Sequence, residues 1–201
     1  MMEHNVEDWY IESCKKIKYM FPKAHAAAYA ISSLRIAWFK VYRPAAFYAA
    51  YFTVRADVFD SSLMCLSYEN VSVNRREYSK RMKAPNATDK DTASFYILEL
   101  VEEMMNRGIS FAPISLDKSD SGTFLPLSDT EILPPFDAIP GISRAMGEQI
   151  IAARKEGGSF HTKEDLRLRS GLGQKAILNL EAAHVLDGMP ENNEISLFEL
   201  M

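Results

Sequence analysis

Three stretches of this 201-residue chain carry residue types suited to chemistry or recognition. The first is Lys15-Lys16-Ile17-Lys18-Tyr19-Met20-Phe21-Pro22-Lys23-Ala24-His25, followed shortly by Tyr29. Lysine pairs with phosphate oxygens, and tyrosine or phenylalanine stacks on a base or walls it. Lys18, Tyr19, Phe21, Lys23 and His25 are therefore candidate contacts for a nucleoside triphosphate. By residue type alone the same residues better suit a helix whose lysines snorkel beside an aromatic edge of the core. The second stretch holds two glycine turns, Ile139-Pro140-Gly141-Ile142-Ser143-Arg144 and Gly171-Leu172-Gly173-Gln174-Lys175. A glycine turn leaves backbone N–H groups uncovered, and a helix that starts there points its positive end the same way. Phosphate oxygens suit such a site without any base being read. The third is the terminal run Glu194-Ile195-Ser196-Leu197-Phe198, apolar anchors behind a polar stretch. It reads either as a peptide for another protein's groove or as a segment folded onto its own core.

The elements that must position these residues read as mainly helical. Residues 6–50 are helix-forming, interrupted at Pro22 and again at Pro44, and 50–55 reads as a strand or a helix end. Residues 91–107 form an amphipathic helix stopped by Gly108. Residues 109–136 suggest a few short strands or an irregular crossover. Two helix pairs follow. One helix runs over about 143–155 with Ser143 as its cap, one opens at a capping box over Thr162–Asp165, and a last one ends near Ala183. The segment around Gly141 resembles a helix-hairpin-helix module, with Ser143 where a second glycine is usual. Gly171 and Gly173 keep both glycines.

Composition is that of an ordinary soluble protein: 47% hydrophobic, 25% charged, net charge −4. A basic block lies over 75–90 and an acidic one from Asp187 onward. Cys14 and Cys65 lack metal-ligand spacing and suggest reduced thiols in a cytoplasmic protein. No signal peptide or membrane span is visible. The pairs Glu102-Glu103 and Glu164-Asp165 read as solvent-facing helix positions, so no catalytic or metal-binding residue is assigned.

Taken in order, the Lys15–Tyr29 stretch resembles the fingers of the PolC-type alpha subunit, the Gram-positive replicative DNA polymerase III of the C family. Tyr51-Phe52-Thr53-Val54-Arg55-Ala56 is similar to the segment that follows those fingers helices. The paired hairpins look like that family's tandem helix-hairpin-helix domain, and Glu194–Phe198 resembles its sliding-clamp peptide. Residues 57–90 match least. The resemblance implies four parts: fingers over 1–56, a connecting α/β region over 57–132, the hairpin domain over 133–188, and a flexible clamp-binding tail over 189–201. It implies that Tyr19 and Phe21 border the nascent base pair and that Lys23 and His25 face the triphosphate or base. Pro140, Gly141, Ser143, Arg144, Gly171, Gly173 and Lys175 would then hold duplex primer-template by its phosphates. Glu194, Ile195, Ser196, Leu197 and Phe198 would bind the clamp, more weakly for having Glu194 in place of glutamine. The Mg²⁺-binding palm, the PHP, exonuclease and OB parts of that family are not in this sequence. The chain is thus expected to be a C-terminal portion, inactive by itself. A non-catalytic DNA- and clamp-binding adaptor is the alternative, and a hairpin-based nuclease or glycosylase is disfavoured for want of a nucleophile or carboxylate constellation.

Overall fold

Proline placement sets the first helices. The computed structural model describes residues 2–16 and 22–192. Helix α1 (Asp8–Lys16) buries Ile11. Pro22, in extended backbone, precedes α2 (Lys23–Tyr42), a run of good helix formers. Pro44 then occupies the first position of α3 (Pro44–Arg55), where its missing N–H costs nothing, and it forces Arg43 out of helical geometry at φ −142 and ψ 58. Ala45, Tyr48, Ala49 and Phe52 are buried along α3. Positions i, i+3, i+4 and i+7 make one helix face, and residues 50–55 are helix rather than strand up to Arg55.

Helix α4 (Ser61–Met64) is capped by Asp60, which accepts from the Ser62 amide at 2.9 Å. Next come α5 (Tyr68–Arg81) and α6 (Asp89–Asn106). Helix α6 opens at a reciprocal capping box: Asp91 N–H donates to Thr88 Oγ1 at 3.1 Å, and Thr88 N–H to the Asp91 carboxylate at 3.0 Å. It closes at Gly108 (φ 77), where Gly108 N–H donates to Met105 O and Ile109 N–H to Met104 O in a Schellman arrangement.

Three short strands follow: β1 (Ser110–Phe111), β2 (Leu125–Pro126) and β3 (Glu131–Leu133). Their order is β1-β3-β2, with β1 parallel and β2 antiparallel to β3. Phe111 pairs with Ile132, and Pro126 sits on the edge strand that can spare its N–H. The first core joins Tyr48 and Phe52 of α3 to Leu98, Val101 and Met104 of α6 and Ile132 of β3. Phe52, Phe59, Phe111 and Phe124 close one side as an aromatic cluster, with Phe59 and Phe124 centroids 4.8 Å apart.

A 3₁₀ turn (Phe136–Ala138) leads into a second core, built by α7 (Arg144–Gly157), α8 (Lys163–Ser170) and α9 (Gln174–Ala182). The loop before it is tied down by Ser119, whose buried hydroxyl donates to Pro134 O at 2.9 Å. Phe136 N–H donates to Asp120 O, and Arg154 to Leu116 O at 2.8 Å. Among the described residues no helix is long and apolar enough to cross a membrane.

Candidate nucleic-acid interface

The second core repeats itself at a spacing of thirty residues. Phe136 and Leu166, Ile142 and Leu172, and Ile150 and Leu180 are equivalent pairs, all buried in it. Gly141 and Gly171 fall at the same offset, and so do Ser143 and Gly173. Two similar turns therefore stand on one apolar platform, with Pro140, Gly141, Ser143, Arg144, Gly171, Gly173 and Lys175 all exposed.

The turns differ in detail. In the first, Ile142 N–H donates to Ile139 O at 3.0 Å with Gly141 at φ 80, the geometry of a type II turn with Pro140 leading. Ser143 then caps α7, its Oγ accepting from Met146 N–H at 3.3 Å. A Cβ on Gly141 would stand 2.4 Å from Asn179 Nδ2, so α9 packs directly against the first turn. In the second turn Gly171 takes the left-handed conformation at φ 69, and Leu172 N–H donates to Ser170 Oγ at 3.4 Å. Gly173 caps α9 with no side-chain bond, and a Cβ there would meet nothing within 4 Å. The Gln174 and Lys175 amides open α9 with no acceptor among the described residues. Two such amides beside an exposed lysine form a ready anion seat, more open than the serine-capped one.

Charge decides how much the side chains add. Residues 133–188 hold seven Lys and Arg against seven Asp and Glu. Four of these cations are committed internally. Arg144 donates to Gly122 O at 3.1 Å and lies 3.5 Å from Asp137. Arg154 holds Leu116 O. Arg169 donates to Ala153 O and Gly158 O, pairs with Asp165 at 3.0 Å and stacks 4.4 Å over Phe160. Lys163 bridges Glu181 at 2.7 Å and Glu191 at 2.5 Å. Hydrogen bonds to those two carboxylates hold the Lys163 ammonium above the usual lysine range. Lys155, Arg167 and Lys175 remain exposed, with no salt bridge among the described residues. Burial pushes the Asp137 carboxyl up and Asp120 adds to that, while Arg144 pulls it back.

The other sequence-derived candidates fall elsewhere. Lys23 and His25 are exposed in the first turn of α2, the His25 ring 4.5 Å from that of Tyr29. Lys18, Tyr19 and Phe21 lie outside the described residues, as do Glu194, Ile195, Ser196, Leu197 and Phe198. The capping box read over Thr162–Asp165 forms in altered form. Asp165 N–H donates to Thr162 Oγ1 at 3.0 Å, but the Asp165 carboxylate accepts from the His161 amide. The basic block is partly neutralised, Arg75 pairing with Glu102 and Arg81 with Glu77.

Sequence reasoning passed over Asn179, Arg169 and the Lys163 bridge, because their partners are remote in the chain. It also passed over the Asp-x-Asp spacing Asp89-Lys90-Asp91. Both aspartates open α6, and the Asp91 carboxylate is engaged by Thr88. Glu103 is held by Lys40 at 2.8 Å and by Arg107, and Glu164 is exposed beside the Arg169-bound Asp165. Among the described residues no group of three or more His, Cys, Asp or Glu is placed to hold a metal ion. The donors present among the described residues do not fit a Mg²⁺ site.

A helical frame carrying two glycine hairpins on one core defines a helix-hairpin-helix protein. A family model described as helix-hairpin-helix motif matches residues 108–195. The chain is 43% identical over 99% of its length to the DNA polymerase III PolC-type of Streptococcus thermophilus strain LMD-9, covering 14% of that protein. It is 45% identical over 99% of its length to the DNA polymerase III PolC-type of Lactococcus lactis strain IL1403, covering 12%, and 43% identical to that of Streptococcus mutans, covering 13%. The chain is a relative of PolC-type DNA polymerase III and matches a fragment of that larger protein.

Proposed function

We propose that this chain is the C-terminal portion of a replicative DNA-directed DNA polymerase acting in the cytoplasm. Residues 1–56 serve as the end of the fingers, with Lys18, Tyr19, Phe21, Lys23 and His25 toward the incoming deoxynucleoside triphosphate. Residues 57–132 connect, 133–188 hold primer-template duplex by its phosphates, and 189–201 tether the sliding clamp. Within 133–188 the phosphate contacts are the open amides at Gly173–Lys175 and those around Gly141–Arg144, with Pro140 and Gly171 shaping the turns. Arg144 shapes its turn through Gly122 and Asp137.

The observation that carries this reading is the pair of exposed glycine turns repeated on one buried platform, in a chain 43–45% identical to PolC-type polymerases. Amides and dipoles bind phosphate without reading bases, which is what an enzyme copying any sequence needs. The Mg²⁺-dependent chemistry belongs to a palm supplied by other parts of the polymerase.

Mixing the chain with the Streptococcus thermophilus polymerase lacking the matching segment is expected to restore nucleotide incorporation, while each component alone gives none. Lys23→Ala and His25→Ala are expected to lower that incorporation at least about tenfold. Restored incorporation indifferent to both substitutions would favour the adaptor reading. That second reading has its own support in the hairpin platform, which is complete within this chain.

A further inference from the structure

We propose that the groove between α2 and α3 seats an apolar helix from the remainder of the polymerase polypeptide, one flanked by acidic residues. The inference rests on the polymerase reading above and adds the surface by which this portion is held.

Helix α2 has twenty residues and none of them is buried. Its exposed residues include Leu34 (70%), Ile36 (58%), Phe39 (51%) and Tyr42 (59%), which at about 100° per residue spread over more than half of the circumference. A helix apolar on all sides belongs in an interior. Helix α3 covers one flank only. The groove left between them has a volume of about 420 Å³ and is lined by Ile36, Phe39, Ala46, Phe47, Ala50 and Tyr51. Ala46 and Ala50 lie one turn apart and keep its floor low, so a third helix can approach to roughly 8–10 Å between axes.

Two observations identify the occupant. This chain spans 12–14% of the relatives it matches, so most of the polypeptide that accompanies these helices there is outside it. The surface is also of one sign. Between Lys23 and Ala56 there are five Lys and Arg and no Asp or Glu. Lys40 is taken by Glu103, but Arg35 and Arg55 stay exposed, with no salt bridge among the described residues. An occupant with Asp or Glu beside its apolar face matches that rim. A second copy of this chain would set cations against cations. Phe39, Phe47 and Tyr51 would stack on bases of single-stranded DNA, but the lining holds no charged side chain and offers base edges and phosphates no donor beyond the Tyr51 hydroxyl.

The test uses the full chain and the Streptococcus thermophilus polymerase lacking the matching segment. Light scattering gives stoichiometry, Trp38-dependent fluorescence gives affinity, and incorporation on primed DNA is read in the same mixtures. The wild-type chain is expected to form a one-to-one complex with a Kd below about 1 μM. Ala50→Glu and Ile36→Glu, both at exposed positions, are expected to weaken it at least about 100-fold while duplex binding by the hairpins is retained. Restored incorporation with Ala50→Glu and Ile36→Glu indistinguishable from wild type would remove the groove and leave the polymerase reading standing. No complex and no incorporation with the wild-type chain would overturn both. Self-association, or binding to an oligothymidine, that is lost in Ala50→Glu would assign the groove to that occupant and overturn the proposal.

Discussion

Gly141 and Gly173 need to be glycine for different reasons. Gly141 combines φ 80 with a side-chain neighbour 2.4 Å from any Cβ, so Gly141→Ala meets backbone strain and a clash with Asn179 together. Its expected cost is on the order of 1–3 kcal/mol by denaturant unfolding. Gly173 is at φ −72 with open space around it. Gly173→Ala is expected to change stability by less than about 1 kcal/mol, because a lost cap preference offsets a gain in chain entropy. Its methyl would still stand beside the Gln174 and Lys175 amides, where the proposed phosphate contact falls. Duplex affinity, read by anisotropy, is expected to fall about tenfold, a loss of roughly 1.4 kcal/mol. At this scale the sequence exposed the glycines but not what presses on them. Asn179 and the Arg169 latch on Ala153 O and Gly158 O depend on contacts that only the folded helices create.

At the scale of elements, prolines and caps were readable and partners were not. Pro22 and Pro44 bound α2 as their geometry requires, and Gly108 stops α6. The 50–55 stretch stayed ambiguous because Tyr, Phe, Thr and Val suit a strand, and only the core that α3 faces decides for helix. Thr88→Ala removes the reciprocal cap of α6 and is expected to cost about 1 kcal/mol. The clasp between α2 and α6 should respond to acid. Burial alone would raise the Glu103 carboxyl, but hydrogen bonds and charge from Lys40, with a hydrogen bond from Arg107, bring it below the usual glutamate range. A group depressed in the folded state stabilises above its unfolded value near pH ~4.3, and that contribution fades as pH falls through the folded value. Unfolding followed from pH 7 downward is expected to show this loss in the wild-type chain and a flatter profile in Glu103→Gln. An identical profile in both would place the acid sensitivity elsewhere.

Across the whole molecule, one core is shared by α3 to α6 and the sheet, and a second carries the hairpins. The paired hairpins were legible because each is a compact glycine-turn motif. The exposure of α2 was not, since its Ala, Ile, Trp and Phe read as an ordinary core helix until no core is found around it. Residues Pro190 and Glu191 are pinned to the start of α8: the Lys163 and Glu164 amides donate to their carbonyls, both at 3.0 Å. If residues 189–201 bind the clamp as proposed, a tether starting at that fixed point would raise the local concentration of the hairpins at the clamp. Deleting 195–201 is expected to abolish retention of the chain by an immobilised sliding clamp while leaving duplex binding intact. Full retention after the deletion would show that the hook is not there.

The central claim is that paired glycine turns grip duplex through phosphates. It is tested most directly by titrating the full chain against two duplexes of unrelated sequence from 50 to 200 mM salt. With three exposed cations and two open turns, about three or four phosphates should be neutralised, giving a log–log slope near −3 and a fall in affinity of roughly 60-fold. Both duplexes should give the same line, and Gly173→Ala should lower it. A slope near zero, or affinity that tracks base sequence, would contradict the account.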